Sequence, residues 1–332
     1  MVSAPTLSVI IPTYNRAELL PRVLENLVRQ DLPPELYEVL VVDDGSTDET
    51  PSLVGARAAV DGRIRLLRWP ENRGRSAARN EGVRQARGEI VVFIDSDVLV
   101  RPDFLAHHMD VHRRASRAVL CRGPVVAIPD IRLPERLPAT RLSPSYLDTA
   151  NASLPRSELL GAGLFDEGFR AYGWEDIDLG FRLQRRGLRR VFRPEAVAFH
   201  VQPAPSLETF GQALTKEEER ARTAIYLYRK YPGWRTRVLI QYTALHRIIY
   251  FLLAGGGLLN QRNVPSIAAR LRHLGLGTLE YVAMRSVLNR HYLETLRREW
   301  RRDPKPREEL HRVTLHRERA HQNGEAPARH RG

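Results

Sequence analysis

Ile90-Val-Val-Phe-Ile-Asp-Ser-Asp97 decides the reading of this chain: five apolar residues are followed by two carboxylates one residue apart. A short, continuously apolar run rich in β-branched residues suits a strand buried on both faces, the kind found in a parallel sheet covered by helices. Just upstream, Ser76 to Gly88 is rich in Ala and Gly and fits a helix packed close to such a sheet. Further out, Leu7-Ser-Val-Ile-Ile11, Val39-Leu-Val-Val42 and Ile64 to Trp69 read as three more strands. Between the first two, Asn15 can cap a helix with Glu18 three residues later, Pro21 falls in its first turn, and Leu20, Val23, Leu24, Leu27 and Val28 form its buried stripe. The alternation predicts an α/β fold with a Rossmann-like, mostly parallel sheet. Residues 118 to 145 are Pro-rich and read as irregular.

In open α/β sheets, ligands bind outside the carboxyl ends of the strands, and both acidic turns of the first hundred residues lie there. Asp95 and Asp97, at i and i+2, can approach one hard divalent cation, and a metal bridging a diphosphate would neutralise charge on a leaving group. An isolated Asp-x-Asp is also an ordinary polar turn, which taken alone is the stronger reading. Asp43-Asp-Gly-Ser-Thr-Asp48 carries the same ambiguity, since Asp and Gly form turns for backbone reasons. Arg73, Arg75 and Arg79 fit either a phosphate cradle or a solvated helix face. Downstream, Glu175, Asp176 and Asp178 sit where a helix dipole favours acid, and Asp178 with Arg182 fits an i to i+4 ion pair. His107, His108 and His112 form a helical cluster with no acidic or Cys partner at that spacing, so a solvated face is expected. His200 follows the short run Val197-Ala-Phe199, and a lone histidine there is ordinarily a hydrogen-bonded core or surface residue.

Ser8-Val-Ile-Ile-Pro-Thr-Tyr-Asn-Arg16, Val42-Asp-Asp-Gly-Ser-Thr-Asp48, Asn72-Arg-Gly74 with Ala77-Ala-Arg-Asn80, and Phe93-Ile-Asp-Ser-Asp97 together closely resemble glycosyltransferase family 2, inverting enzymes of GT-A fold, over roughly residues 6 to 205. The resemblance implies that Thr13, Asp43 and Arg79 hold the nucleoside end of a nucleotide-sugar donor, with Asp44 lining the same pocket. Arg73 would help hold the diphosphate. Asp95 and Asp97 would bind nucleotide and metal, Asp97 as the direct ligand. Phe165-Asp-Glu and Gly173-Trp-Glu-Asp-Ile-Asp-Leu179 are similar to the acceptor-side motif of galactosyl- and N-acetylgalactosaminyl-transferring GT-A enzymes. That likeness implies Asp176 as the base, Glu175 beside it, Trp174 as a platform for a sugar ring and His200 as a second metal ligand. Carboxylate and imidazole together favour Mn2+ or Mg2+ over calcium. The implied function is transfer, with inversion, from a UDP-sugar to a hydroxyl of a glycan or lipid-linked acceptor. A non-catalytic nucleotide-sugar-binding or scaffold protein of the same fold is the alternative, against which both acidic motifs stand intact. A dinucleotide-binding oxidoreductase fits poorly, because Pro12-Thr-Tyr-Asn-Arg16 has no glycine for a tight phosphate loop.

The 332 residues, 42% hydrophobic, suffice for one large domain and an appendage. The expected division is a catalytic domain over 1–205, a mainly helical region over 206–302 and a basic polar, disordered tail over 303–332. A net charge of +13 comes almost wholly from arginine, lysine being confined to Lys216, Lys230 and Lys305. It suggests an anionic partner, but no nucleic-acid recognition motif accompanies it and nucleic acid is not expected. The single Cys121 cannot form an internal disulfide, and Met1 to Ser8 lacks a signal-peptide pattern, so a cytoplasmic location is expected. Ile248 to Leu259 is about half the roughly 20 residues that cross a bilayer. Mixed with arginines, Tyr242, Leu245, Ile248, Ile249, Phe251, Leu252 and Leu253 fit either peripheral contact with the cytoplasmic membrane or packing onto the catalytic domain or a second subunit.

Overall fold

A computed structural model describes residues 5–135, 145–202 and 207–302. The chain divides into two compact units, Met1–Pro205 and Ser206–Gly332. The first contains β1 (Leu7–Thr13), α1 (Leu20–Val28), β2 (Tyr37–Asp43), α2 (Thr50–Val60), β3 (Ile64–Arg68), α3 (Arg75–Gln85), β4 (Ile90–Phe93), β5 (Val98–Val100), α4 (Phe104–Arg114), β6 (Val119–Arg122), β7 (Val125–Ile128), β8 (Ala152–Pro155), α5 (Arg156–Gly161), α6 (Glu175–Arg185), β9 (Arg189–Phe192) and β10 (Ala198–Val201).

The main sheet runs β3-β2-β1-β4-β8-β6-β9. Its first four strands are parallel, and β8 is antiparallel to both neighbours. The chain winds outward from β1 to β3 and then crosses to β4 on the other side of β1. The winding therefore reverses between β1 and β4, and a crevice opens at their carboxyl ends. Alternation along β1 feeds two cores. Leu7, Val9 and Ile11 pack with Leu20, Val23, Leu24 and Leu27 of α1, while Ile10 packs with Val83 of α3 and with Leu179 and Leu183 of α6. Each such fully buried side chain contributes roughly 1.5–3 kcal/mol. The Ala- and Gly-rich face of α3 is a spacing device: a Cβ on Gly82 would lie 2.4 Å from Ile10 Cγ2.

A second sheet, β5-β10-β7, has β10 antiparallel to β5 and parallel to β7. Its register pairs His200 with Val98, and the Asp97 carbonyl accepts from the Val201 N–H at 2.9 Å, so His200 arrives beside Asp97.

Three expectations are corrected. Asn15 does not cap α1, which starts at Leu20. The β2–α2 loop supplies stronger partners: Ser46, Thr50 and Asp48 side chains accept from the backbone N–H groups of Asn15, Arg16 and Ala17, and Asn15 Oδ1 accepts from the Thr47 N–H. The stretch 118–145 is not wholly irregular, since β6 and β7 lie in it; residues 136–144 fall outside those described. The histidine cluster is not a solvated face. His108 is fully buried and His112 half-buried, bonded to Ser153 and Asn151, while His107 sits 3.3 Å from Asp103.

The second unit is helical: α7 (Leu207–Lys230), α8 (Trp234–Leu239), α9 (Ala244–Leu253), α10 (Val264–His273) and α11 (Gly277–Arg302). Phe210, Val264, Ala268, Ala283, Met284, Val287 and Leu288 form its core. Tyr292, fully buried, donates to the Ile240 carbonyl at 2.7 Å, and the Arg220 guanidinium lies 4.2 Å above its ring. The tail expected from Asp303 lies outside the described residues.

Candidate active site

Thr13 and Asp43 end β1 and β2 as register partners. Asp43 Oδ1 accepts from the Ser46 N–H at 3.1 Å, and exposed Arg68 lies 3.5 Å from Oδ2. Thr13 Oγ1 and Asp43 Oδ2 are nevertheless buried without a hydrogen bond. Buried polar atoms are normally satisfied, so this pair marks a place where the polar edge of a ligand would complete the set. Asp44 is already employed: its carboxylate accepts from the N–H groups of Arg73 and Gly74 at 2.6 and 2.9 Å, shaping the turn into α3, and burial raises its pKa. The Arg73 and Arg75 guanidiniums lie over the rings of Trp69 and Tyr172, at 5.0 and 4.8 Å.

Asp97, just past β4, has Oδ1 3.3 Å from His200 Nε2 and Oδ2 3.3 Å from the Arg16 guanidinium. Gln202, two residues along from His200, places its amide nitrogen 3.0 Å from His200 Nδ1. A carboxylate oxygen and an imidazole nitrogen this close can be neighbours around one ion, and the pair suits Mn2+ or Mg2+. Among the described residues no group of three or more His, Cys, Asp or Glu gathers around an ion. Such a ligand count fits a metal whose remaining positions are filled by water and substrate phosphates.

Arg79 links the two halves of the site. It is 2% exposed, and its guanidinium pairs with Asp95 Oδ1 at 2.8 Å and Glu175 Oε1 at 3.0 Å. The residue expected at the nucleoside end thus braces the strand-end aspartate against the first turn of α6. Glu175 Oε2 is buried with no hydrogen-bond partner. Asp176 follows, half-buried at its surface but ringed by protein. Loss of hydration, with the charges of Glu175 and Asp148 nearby, pushes its carboxyl up to about 7, against the Ile177 N–H and Arg79, which pull it down. Trp174 precedes α6 in the left-handed region at φ 74°, costly for a bulky residue, and Gly173 before it has φ 101°. Asp178 is fully buried against Arg182 at 2.7 Å, the expected i to i+4 pair. Asn80 on α3 clamps the preceding turn, donating to the Phe165 carbonyl and Glu167 and accepting from the Phe165 N–H.

Two participants were missed by sequence reading. Gln202 was detectable, because it lies two residues beyond His200, the spacing that shares a face in extended chain. Asp148, paired with buried Arg122 at 3.4 Å, had no such signal. A cleft of about 810 Å3 between α1 and α2, walled by Leu20, Leu24, Val54 and Ile131, shares none of these carboxylates.

Residues 8–164 match the family model "Glycosyl transferase family 2". The chain is 34% identical over 224 residues to validoxylamine A glucosyltransferase of Streptomyces hygroscopicus subsp. limoneus, covering 55% of this chain and 49% of that one. It is 31% identical over 252 residues to the uncharacterized glycosyltransferase YfnE of Bacillus subtilis strain 168, covering 58% and 64%. It thus spans about half the length of the first relative and under two thirds of the second. Among solved structures, the mannosyltransferase PcManGT from Pyrobaculum calidifontis, in complex with GDP-Man and Mn2+, superposes with a TM-score of 0.57 at 21% identity over 87% of both chains. GalNAc-T7 with UDP, GalNAc and Mn2+ gives 0.51 at 17% over 76% of this chain and 58% of that one. These likenesses establish a GT-A-type fold, and residues 8–164 are similar in sequence to glycosyltransferase family 2.

Proposed function

We propose that this chain is an inverting, metal-dependent glycosyltransferase that moves a sugar from a UDP-sugar to a hydroxyl of a glycan or lipid-linked acceptor. The observation that carries it is Asp176, a carboxyl held near neutrality at the start of α6 and joined through Glu175 and Arg79 to the strand-end Asp95. Thr13 Oγ1 and Asp43 Oδ2 would receive the polar edge of the nucleoside, both being buried without a hydrogen bond at the ends of neighbouring strands. Asp97 and His200 would hold Mn2+ or Mg2+, which when bound supplies positive charge to the diphosphate. Asp176, ionised, takes the acceptor proton as the hydroxyl oxygen bonds to the anomeric carbon. The bond from that carbon to the diphosphate oxygen breaks at the same time, its electron pair leaving with UDP, so configuration inverts. A base whose pKa lies close to working pH is suited to that transfer. Trp174, set beside the base in a strained conformation, would offer its ring to the acceptor sugar. The names of the relatives support a sugar-transferring reading, and the neighbours solved with GDP-Man or UDP and with Mn2+ support a nucleotide diphosphate and a metal.

The test is Asp176→Asn assayed across a panel of nucleotide sugars and acceptors. Turnover should fall by about a hundredfold or more, the usual loss for a removed base, while UDP affinity stays within about twofold. A variant retaining more than about a tenth of wild-type turnover would assign the base elsewhere.

A further inference from the structure

The second unit presents an apolar surface that its own core does not use. None of the residues of α9 is buried, and Leu245, Ile248, Phe251 and Leu252 are 52–65% exposed. Trp234 on α8 is 72% exposed and Leu258, after α9, 79%. α8 and the start of α9 meet around a cavity of about 400 Å3 lined by Trp234, Val238, Tyr242, Arg237 and Arg247. Leaving such surface in water costs about 25 cal/mol per Å2, and soluble monomers rarely keep a large contiguous patch of it.

Charge selects the occupant. From Tyr231 to Leu279 there is no aspartate or glutamate, whereas Arg235, Arg237, Arg247, Arg262 and Arg270 are all exposed. A second copy docked on this face through a twofold axis would set the same arginine-bearing patch against itself, like charge against like. Anionic lipid headgroups neutralise those arginines while the apolar side chains enter the acyl boundary. No described helix is long and apolar enough to cross a membrane, so the contact lies in the plane of the interface.

We propose that α8 and α9 lie on an anionic lipid surface, with Trp234, Leu245, Ile248 and Leu252 immersed and Arg235, Arg237 and Arg247 at the headgroups. The inference stands on the second unit alone, and its test reads no turnover, so its failure leaves the transfer reading untouched.

The full chain is floated with phosphatidylglycerol-containing and with pure phosphatidylcholine vesicles at low and high salt. Binding should favour the anionic vesicles at least tenfold at low salt and weaken as salt screens the arginines. The double variant Ile248→Glu/Leu252→Glu changes only exposed positions. It should lose at least tenfold in vesicle binding while UDP affinity, measured without lipid, stays unchanged. Arg235→Glu/Arg247→Glu should lose the preference for anionic lipid. No association with anionic vesicles, equal binding to neutral ones, or vesicle binding unaltered in the Glu variant would each overturn the proposal. So would a self-associated wild type that the Glu variant converts to monomer in the absence of lipid.

Discussion

At the start of α6 the Asp176 carboxyl gives up hydration and faces the carboxylates of Glu175 and Asp148, which together push it up to about 7. The same burial that would ready it as a base costs the fold stability. Above about pH 7 the folded protein holds a charge it disfavours. As pH falls from there toward 3.8 the folded state gains a proton that the unfolded chain does not yet bind, and the penalty disappears. Asp176→Asn should therefore be more stable than wild type at pH 8 by about 1–2 kcal/mol, less than the ~4 kcal/mol a fully enclosed group would give, because Asp176 keeps an accessible edge. At pH 4 the gain should vanish, and urea unfolding at the two pH values reads both numbers. Equal stability at pH 8 would remove the burial argument. Wild-type turnover should rise as pH passes upward through about 7, where the base ionises. Asp97 calls for a different measurement. With its carboxylate 3.3 Å from His200, Asp97→Ala should abolish the dependence of UDP affinity on Mn2+ in calorimetric titration, and unchanged metal dependence in the folded variant would exclude Asp97 as a ligand.

Between elements, α3 and α6 are joined by one guanidinium. Arg79 reaches partners 16 and 96 residues away, Asp95 and Glu175, and is itself almost fully buried. Removing one member of a buried ionic group leaves uncompensated charge, at a cost of about 3–5 kcal/mol. Arg79→Met should accordingly lose about that much in urea unfolding and lose turnover more than it loses UDP affinity, because the first turn of α6 is no longer braced. Arg79→Lys, able to meet only one of the two carboxylates well, should fall between. A fully active, fully stable Arg79→Met protein would show that the brace is dispensable. The strands, the stripe of α1 and the Asp178–Arg182 pair were legible in the sequence because each follows from spacing within one element. Arg79 was expected at the nucleoside end and not as a brace, and Asn15 was misread as a cap, because their partners lie on other elements. Asp176 was singled out through its neighbours in sequence, whereas its raised pKa rests first on burial, then on Glu175 and Asp148, and sequence spacing shows neither the burial nor the approach of Asp148.

Across the first unit, the two sheets are tied together by a buried chain of hydrogen bonds whose direction its partners fix. Asn151 Nδ2 donates to the carbonyls of Pro124 and Ala196, which leaves Oδ1 to accept from His108 Nε2–H. With His108 neutral, its Nδ1 accepts the Ser153 hydroxyl proton, and Ser153 Oγ in turn accepts from His112 Nε2–H. Burial favours the neutral form of both imidazoles, pushing His108 down to about 3 and His112 to about 4. Backbone approach here is equally tight, since a Cβ on Gly123 would lie 1.7 Å from the Ala196 carbonyl oxygen. The sign follows from proton counts. Between pH 6.5 and about 4 the unfolded chain binds two protons at these positions that the folded protein excludes, so their contribution to stability falls as pH falls, by about 1.4 kcal/mol per pH unit for each histidine. Asp176 acts in the opposite direction over nearly the same range, so the wild-type slope alone does not isolate the histidines. A difference between proteins does. His112→Gln, at the less buried end, can still donate to Ser153 and has no proton to take up. Its stability, measured by urea unfolding of the full chain at pH 7, 6 and 5, should decline less than that of wild type, by about 0.7 kcal/mol from pH 7 to 6 and about 1.2 kcal/mol from pH 6 to 5. Parallel curves for the two proteins would mean that folded His112 takes up its proton as readily as the unfolded chain does, and the neutral network would have to be abandoned.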